Sequence, residues 1–252
     1  MLMKFDIPVP CFFGKDDFCD ALQKIKNCGF DTVETYNWSE LDAEKVSETL
    51  KKLDMKLISI CTSDFRLTDI AFQAHWLECL KESIAAAKKL GAGMMITQVG
   101  QDTGESREIQ HGNIVATLRL AAPILEEAGI ILLVEPLNVL YNHKGYYLPS
   151  SSEAFEIIRE VGSENIKVVF DIYHQQVTEG NIINNIRDNL PLIAHIHAAG
   201  HPGRNELQYG ENDYKVIFNA LEDMGYAGSV GLEYGPLLPP EESLSEFRRI
   251  YT

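Results

Sequence analysis

Four short apolar runs in this chain each end on a residue type that can ligate a metal. They are Ile131-Leu132-Leu133-Val134-Glu135, Lys167-Val168-Val169-Phe170-Asp171, Ala194-His195-Ile196-His197 and Ser229-Val230-Gly231-Leu232-Glu233. The steps from 135 to 171 to 197 to 233 are 36, 26 and 36 residues, room each time for a helix and two loops. An apolar strand followed by a helix, repeated, is how a parallel sheet is built, and neighbouring parallel strands bring their carboxyl ends to one edge. The spacing therefore predicts that Glu135, Asp171, His197 and Glu233 converge. Three carboxylates and one imidazole suit a hard-to-borderline divalent ion such as Mn²⁺, Mg²⁺ or Co²⁺ better than a structural zinc. Acidic residues also end barrel strands as loop caps or salt-bridge partners, but three carboxylates clustered at one end of the sheet repel one another unless something positive offsets them.

Further residues fall where such a site would open. His174 lies three residues past Asp171, placed to hydrogen-bond a substrate oxygen or, more plainly, to pack or cap a helix. Gly200-His201-Pro202-Gly203-Arg204 is a tight loop that can carry Arg204 back over the mouth, where its planar fork suits a carboxylate or vicinal oxygens; a surface arginine is the alternative. Glu34 ends the second strand, expected behind the site or against substrate, or equally on the surface. Trp38, Phe12 and Phe13 are expected in the core or on an apolar pocket wall. His75, His111 and His143 show no partner pattern, and nothing near Cys61 is arranged to activate a thiolate.

The elements that position these residues follow a regular rhythm. Strands are expected at Phe5–Pro10, Asp31–Tyr36, Lys56–Cys61, Gly93–Val99, Ile131–Glu135, Val168–Asp171, Ile193–Ala198 and Val230–Glu233. Helices are expected at Asp16–Cys28, Asp42–Leu53, Phe72–Leu90, Ile109–Ala128, 150–161, Ile182–Leu190, Tyr214–Met224 and Glu241–Tyr251, several closed by a glycine. Eight strand–helix units without a dividing linker predict an α/β protein, a single (β/α)8 TIM barrel over residues 1–252, whose active site would sit at the carboxyl ends of the strands. An open doubly wound sheet is the second choice, but no GxGxxG follows the first strand and no Walker-A or GxSxG sequence occurs.

Composition narrows the partners. A net charge of −15 argues against nucleic acid. Five scattered cysteines without a CxxC spacing read as reduced thiols in a cytoplasmic protein. No signal-like segment and no apolar run near the ~20 residues of a membrane span is found. A small-molecule substrate is expected, and a homo-oligomer is compatible with all of this.

The second half of the chain resembles the xylose-isomerase-like TIM barrels, metal-dependent sugar isomerases and ketose 3-epimerases. The resemblance is carried by Val134-Glu-Pro-Leu-Asn138, Gly145-Tyr-Tyr-Leu148, Phe170-Asp-Ile-Tyr-His174 with Glu179-Gly-Asn181, Pro202-Gly-Arg-Asn-Glu206, Gly210-Glu-Asn-Asp-Tyr214 and Gly231-Leu-Glu-Tyr-Gly-Pro236. Within the superfamily the chain looks most like the hydroxypyruvate isomerase branch. The resemblance implies Glu135, Asp171, His197 and Glu233 as metal ligands, Glu135 and Glu233 also as the acid/base pair, and His174 and Arg204 as substrate contacts. The implied reaction is isomerisation of a small hydroxy-carbonyl compound through a cis-enediolate, hydroxypyruvate to tartronate semialdehyde being the type case. One departure bears on substrate. That branch usually has glutamine where this chain has His197, and histidine there is the habit of the tagatose/psicose-type 3-epimerases. The epimerases, however, add a glutamate six residues after the first ligand, where this chain has Tyr141. A phosphodiesterase or endonuclease on the same barrel is the remote alternative, disfavoured by the acidic charge.

Overall fold

The computed structural model describes residues 3–252. Eight strands, β1 (Lys4–Pro8), β2 (Thr32–Glu34), β3 (Lys56–Cys61), β4 (Met94–Thr97), β5 (Ile131–Val134), β6 (Ile166–Asp171), β7 (Ile193–Ala198) and β8 (Ser229–Leu232), close into a barrel in sequence order, β8 pairing back onto β1. Every pairing is parallel, and helices cover the outside. This is the (β/α)8 barrel that the strand–helix rhythm predicts.

Alternation along the strands sorts the side chains into two layers. Leu132, Val134, Val168, Phe170 and Ile196 belong to the main core, packed with helix residues such as Leu118, Leu125 and Phe155. Ile96, Leu133 and Val169 form a separate cluster on the opposite, inward face of β4, β5 and β6. Polar groups fill much of the remaining interior: Asp6, Glu34, Ser59 and His195, from β1, β2, β3 and β7, are all buried. Since successive strand residues alternate in face, the residue two past an inward one also points inward. Glu135 follows Leu133, Asp171 follows Val169, His197 follows His195, and Glu233 follows Gly231.

The predicted boundaries shift in two places that matter. β1 ends at Pro8, and Val9–Phe13 forms a short helix with Pro10 in its first turn, where the missing N–H has no intrahelical partner to lose. After β6, Ile172–Thr178 is a helix that the sequence reading lacks. Its seven residues carry no clear apolar period; it starts because the Asp171 carboxylate accepts hydrogen bonds from the backbone N–H of Tyr173 at 2.7 Å and His174 at 3.3 Å. Elsewhere side-chain caps open the helices, with Asp42 capping Ala43–Leu53 and Ser150 capping Ser151–Val161. None of the described helices is long and apolar enough to cross a membrane.

Candidate metal centre and active site

Glu135, Asp171, His197 and Glu233 each offer a ligand atom within 4.8 Å of the others, at the carboxyl ends of β5, β6, β7 and β8. His197 Nδ1 stands 3.2 Å from Glu233 Oε2 and 3.8 Å from Glu135 Oε1, yet it is buried without a hydrogen bond. Burial, reinforced by Glu233, pushes the Glu135 carboxyl up to about 8. Burial likewise pushes Asp171 up to about 6, with Glu233 adding to it and Arg204 opposing. Glu233 is also desolvated, but Arg204 and His197 outweigh this and hold it well below the usual carboxylate range. Three carboxylates thus crowd one point, balanced only in part by a guanidinium and an imidazole. An orphaned nitrogen aimed into an oxygen-rich cluster at these separations fits a divalent cation.

The tautomer of His197 is set from behind. Its Nε2 lies 3.2 Å from Glu34 Oε2, while His195 Nε2 lies 3.2 Å from Glu34 Oε1. Ser59 Oγ donates to Glu34 Oε2 at 2.5 Å. Burial works against this carboxylate's charge, yet the two imidazoles hold Glu34 well below its usual range. Deeper in the barrel, burial and the nearby Glu34 push the Asp6 carboxyl up, and neither of its oxygens has a hydrogen-bond partner. Glu34 therefore lies in the interior beneath the site and not on the surface.

A cavity of about 580 Å³ opens over the cluster, lined by Glu135, His174, His197, Arg204 and Glu233. His174 is both packed and in the mouth. Its Nδ1 faces the Asn138 side-chain amide at 2.7 Å and accepts from the Asn138 backbone N–H at 3.2 Å. That leaves the hydrogen on Nε2, which has no partner and lies 3.5 Å from Asp171 Oδ2. Burial, with Arg204 adding, holds His174 well below the ordinary imidazole range. Arg204 does swing back over the mouth: its Nη2 donates to Glu233 Oε2 at 2.7 Å, and its guanidinium lies 5.2 Å from the Tyr173 ring.

Two cavity residues, Tyr36 and His143, were not legible beforehand. Tyr36 donates to Glu233 Oε1 at 2.5 Å, and Cys11 Sγ lies 3.3 Å from the same hydroxyl. Because the tyrosine hydrogen is committed to Glu233, the Cys11 thiol is the donor. His143 lines the cavity with its ring 5.3 Å from that of His174. Cys61 also reaches the cavity, its thiol pushed well up by burial and then by Glu135, so it is no nucleophile. Of the aromatic candidates, Trp38 forms part of the wall, held by Nε1–H donation to Cys61 O at 2.9 Å. Phe12 and Phe13 are core. His111 sits between Glu153 and Glu160, and His75 beside Asp64; neither lines the cavity.

Barrel and site together define a class. Residues 22–250 match the xylose isomerase-like TIM barrel family, and the chain belongs to it. Among curated relatives it is 32% identical to hydroxypyruvate isomerase of Escherichia coli (strain K12), covering 96% of this chain and 97% of that protein. It is 26% identical to 2-oxo-tetronate isomerase of Pectobacterium atrosepticum, covering 96% and 95%. Among solved structures, one titled AP endonuclease, family 2, from Brucella melitensis superposes over the whole of both chains with a TM-score of 0.94 at 25% identity.

Proposed function

We propose that the protein is a divalent-cation-dependent isomerase of a short-chain hydroxy-oxo acid, acting like hydroxypyruvate isomerase. The observation that carries this is the convergence of two glutamates, one aspartate and one unpaired imidazole nitrogen at the floor of the cavity. Glu135, Asp171, His197 and Glu233 would hold Mn²⁺, Mg²⁺ or Co²⁺, which supplies Lewis acidity toward a carbonyl and its neighbouring hydroxyl. The chain's own groups do the rest. One glutamate of the Glu135/Glu233 pair takes the proton from the hydroxyl-bearing carbon and returns it to the former carbonyl carbon, while the other passes the hydroxyl proton to the former carbonyl oxygen, which completes the isomerisation. Such general acid–base transfer contributes about 10²–10⁴-fold. His174 Nε2–H and the Arg204 guanidinium donate to substrate oxygens, Arg204 being the natural partner of a substrate carboxylate. Trp38 closes one side against water.

A second reading concerns substrate length. At about 580 Å³ the cavity has room beyond a three-carbon acid, and the likeness to 2-oxo-tetronate isomerase supports a four-carbon compound of that kind. Ketose 3-epimerisation is supported by His197 but not by position 141, where the Tyr141 side chain is 66% exposed and outside the cavity lining. A phosphodiesterase reading finds no support in the net charge of −15. The test is a panel of hydroxypyruvate, 2-oxo-tetronate and several ketoses, with Mn²⁺, Mg²⁺ or Co²⁺ added to chelator-treated protein. Cation-dependent turnover of a hydroxy-oxo acid is expected. Clean C3 epimerisation of a ketose with neither acid turned over would overturn the proposal.

A further inference from the structure

Beneath the proposed ligands lies a carboxylate that the reaction does not touch. Glu34 is fully buried at the end of β2, with an imidazole nitrogen 3.2 Å from each of its oxygens and Ser59 Oγ at 2.5 Å. All three neighbours can donate, and a carboxylate only accepts. Its presence therefore requires a hydrogen on His197 Nε2, so that in the neutral ring the lone pair is on Nδ1, the atom aimed at Glu135 and Glu233. The cradle is closely fitted. Gly231 stands opposite, where an added Cβ would lie 2.4 Å from Glu34 Oε1 and 2.6 Å from His197 Cδ2.

We propose that Glu34 is a positioning residue of the metal centre, fixing His197 as an Nδ1 ligand, with His195 and Ser59 holding Glu34 in place. The inference rests on the metal-centre reading above. Carboxylates behind a metal-bound histidine set its tautomer and ring orientation, and losing one typically costs about 10–100-fold in metal affinity. The three residues Glu34, His195 and His197 also lie close enough to hold a cation among themselves. That arrangement would make His197 bridge two ions, whereas the donor–acceptor pairing already satisfies both carboxylate oxygens.

Calorimetric titration of chelator-treated protein with Mn²⁺, beside histidine ¹⁵N spectra of the Zn²⁺-loaded form, tests this. Wild type is expected to bind one cation per chain, with His197 ligated through Nδ1 and protonated on Nε2. Asp171→Asn, a ligand change, separates the two claims. If wild type binds no cation, or D171N leaves binding intact, the metal-centre reading itself fails. If D171N weakens binding while folded Glu34→Ala stays within twofold of wild type, only the Glu34 inference fails. The expected result for E34A is a loss of about 10–100-fold with a changed His197 nitrogen pattern. Should E34A not fold, Glu34→Gln is read instead, since it offers one acceptor oxygen where two are needed. A loss of at least about fivefold supports the inference, and unchanged affinity with both imidazoles still protonated on Nε2 overturns it. A second cation per chain that disappears in His195→Ala would make Glu34 a ligand and likewise overturn it.

Discussion

Replacing Gly231 by alanine should damage both the fold and cation binding, because a single methyl group would enter the space shared by Glu34 and His197. The new Cβ would sit 2.4 Å from Glu34 Oε1 and 2.6 Å from His197 Cδ2, where ordinary contact begins at 3.4 Å. One or both side chains must retreat by up to about 1 Å. The two imidazole contacts to Glu34 are already 3.2 Å, so a shift of that size takes at least one beyond hydrogen-bonding range. Overpacking of this kind costs about 1–3 kcal/mol. Leaving a buried polar partner unsatisfied adds about 1–3 kcal/mol. The sum of roughly 2–6 kcal/mol corresponds, at roughly 2–4 °C per kcal/mol for a chain of this size, to a melting point lowered by at least about 4 °C. Mn²⁺ affinity should fall with it. Gly112 is the matched control: it lies in the helix Arg107–Ala128 with nothing within 4 Å of a built Cβ, so Gly112→Ala should stabilise by about 0.5–1 kcal/mol. Thermal melts followed by circular dichroism, with and without Mn²⁺, read both variants. A G231A protein that melts within 1–2 °C of wild type (about the error of such a comparison) and binds Mn²⁺ equally well would refute the packing argument.

Two further outcomes follow from the site. Metal binding should strengthen with pH across about 6 to 8, since a cation must displace protons from Asp171, raised to about 6, and Glu135, raised to about 8. Mn²⁺ dissociation constants that stay flat over that range would contradict it. Tyr36→Phe removes a charge-assisted hydrogen bond to Glu233 worth about 1.5–3 kcal/mol, so turnover should drop about 10–100-fold and the melting point should fall by about 3 °C or more. Wild-type kinetics in Y36F would remove Tyr36 from the account.

The barrel and the four proposed ligands were legible because both depend on local pattern. A period of two along each apolar run, together with parallel pairing, fixes which residue emerges inward at the carboxyl end, and Glu135, Asp171, His197 and Glu233 all obey it. His174 and Arg204 were legible because each follows closely on a ligand in the chain. The supporting residues were legible only in part: Glu34 stood out at a strand end with its role open, and Tyr36 did not stand out at all. Glu34 meets His195 and His197 across 161 and 163 positions, and Tyr36 meets Glu233 across 197. Those contacts exist only because the barrel closes β8 onto β1, and nothing in the local sequence of β2 announces them. The helix at Ile172–Thr178 escaped for a different reason: its start depends on the Asp171 cap, and a residue read as a ligand hides its second role. His143 joins the cavity through a loop that carries no periodic signal at all.

The central claim is that Glu135 and Glu233 move the substrate proton. Its most direct test is exchange of solvent deuterium into hydroxypyruvate or 2-oxo-tetronate by cation-loaded protein, with Glu135→Gln and Glu233→Gln compared at confirmed metal occupancy. The account predicts carbon-bound deuterium with wild type and its loss in both variants, with melting points retained. A cation-loaded glutamine variant that keeps most of the exchange would contradict it.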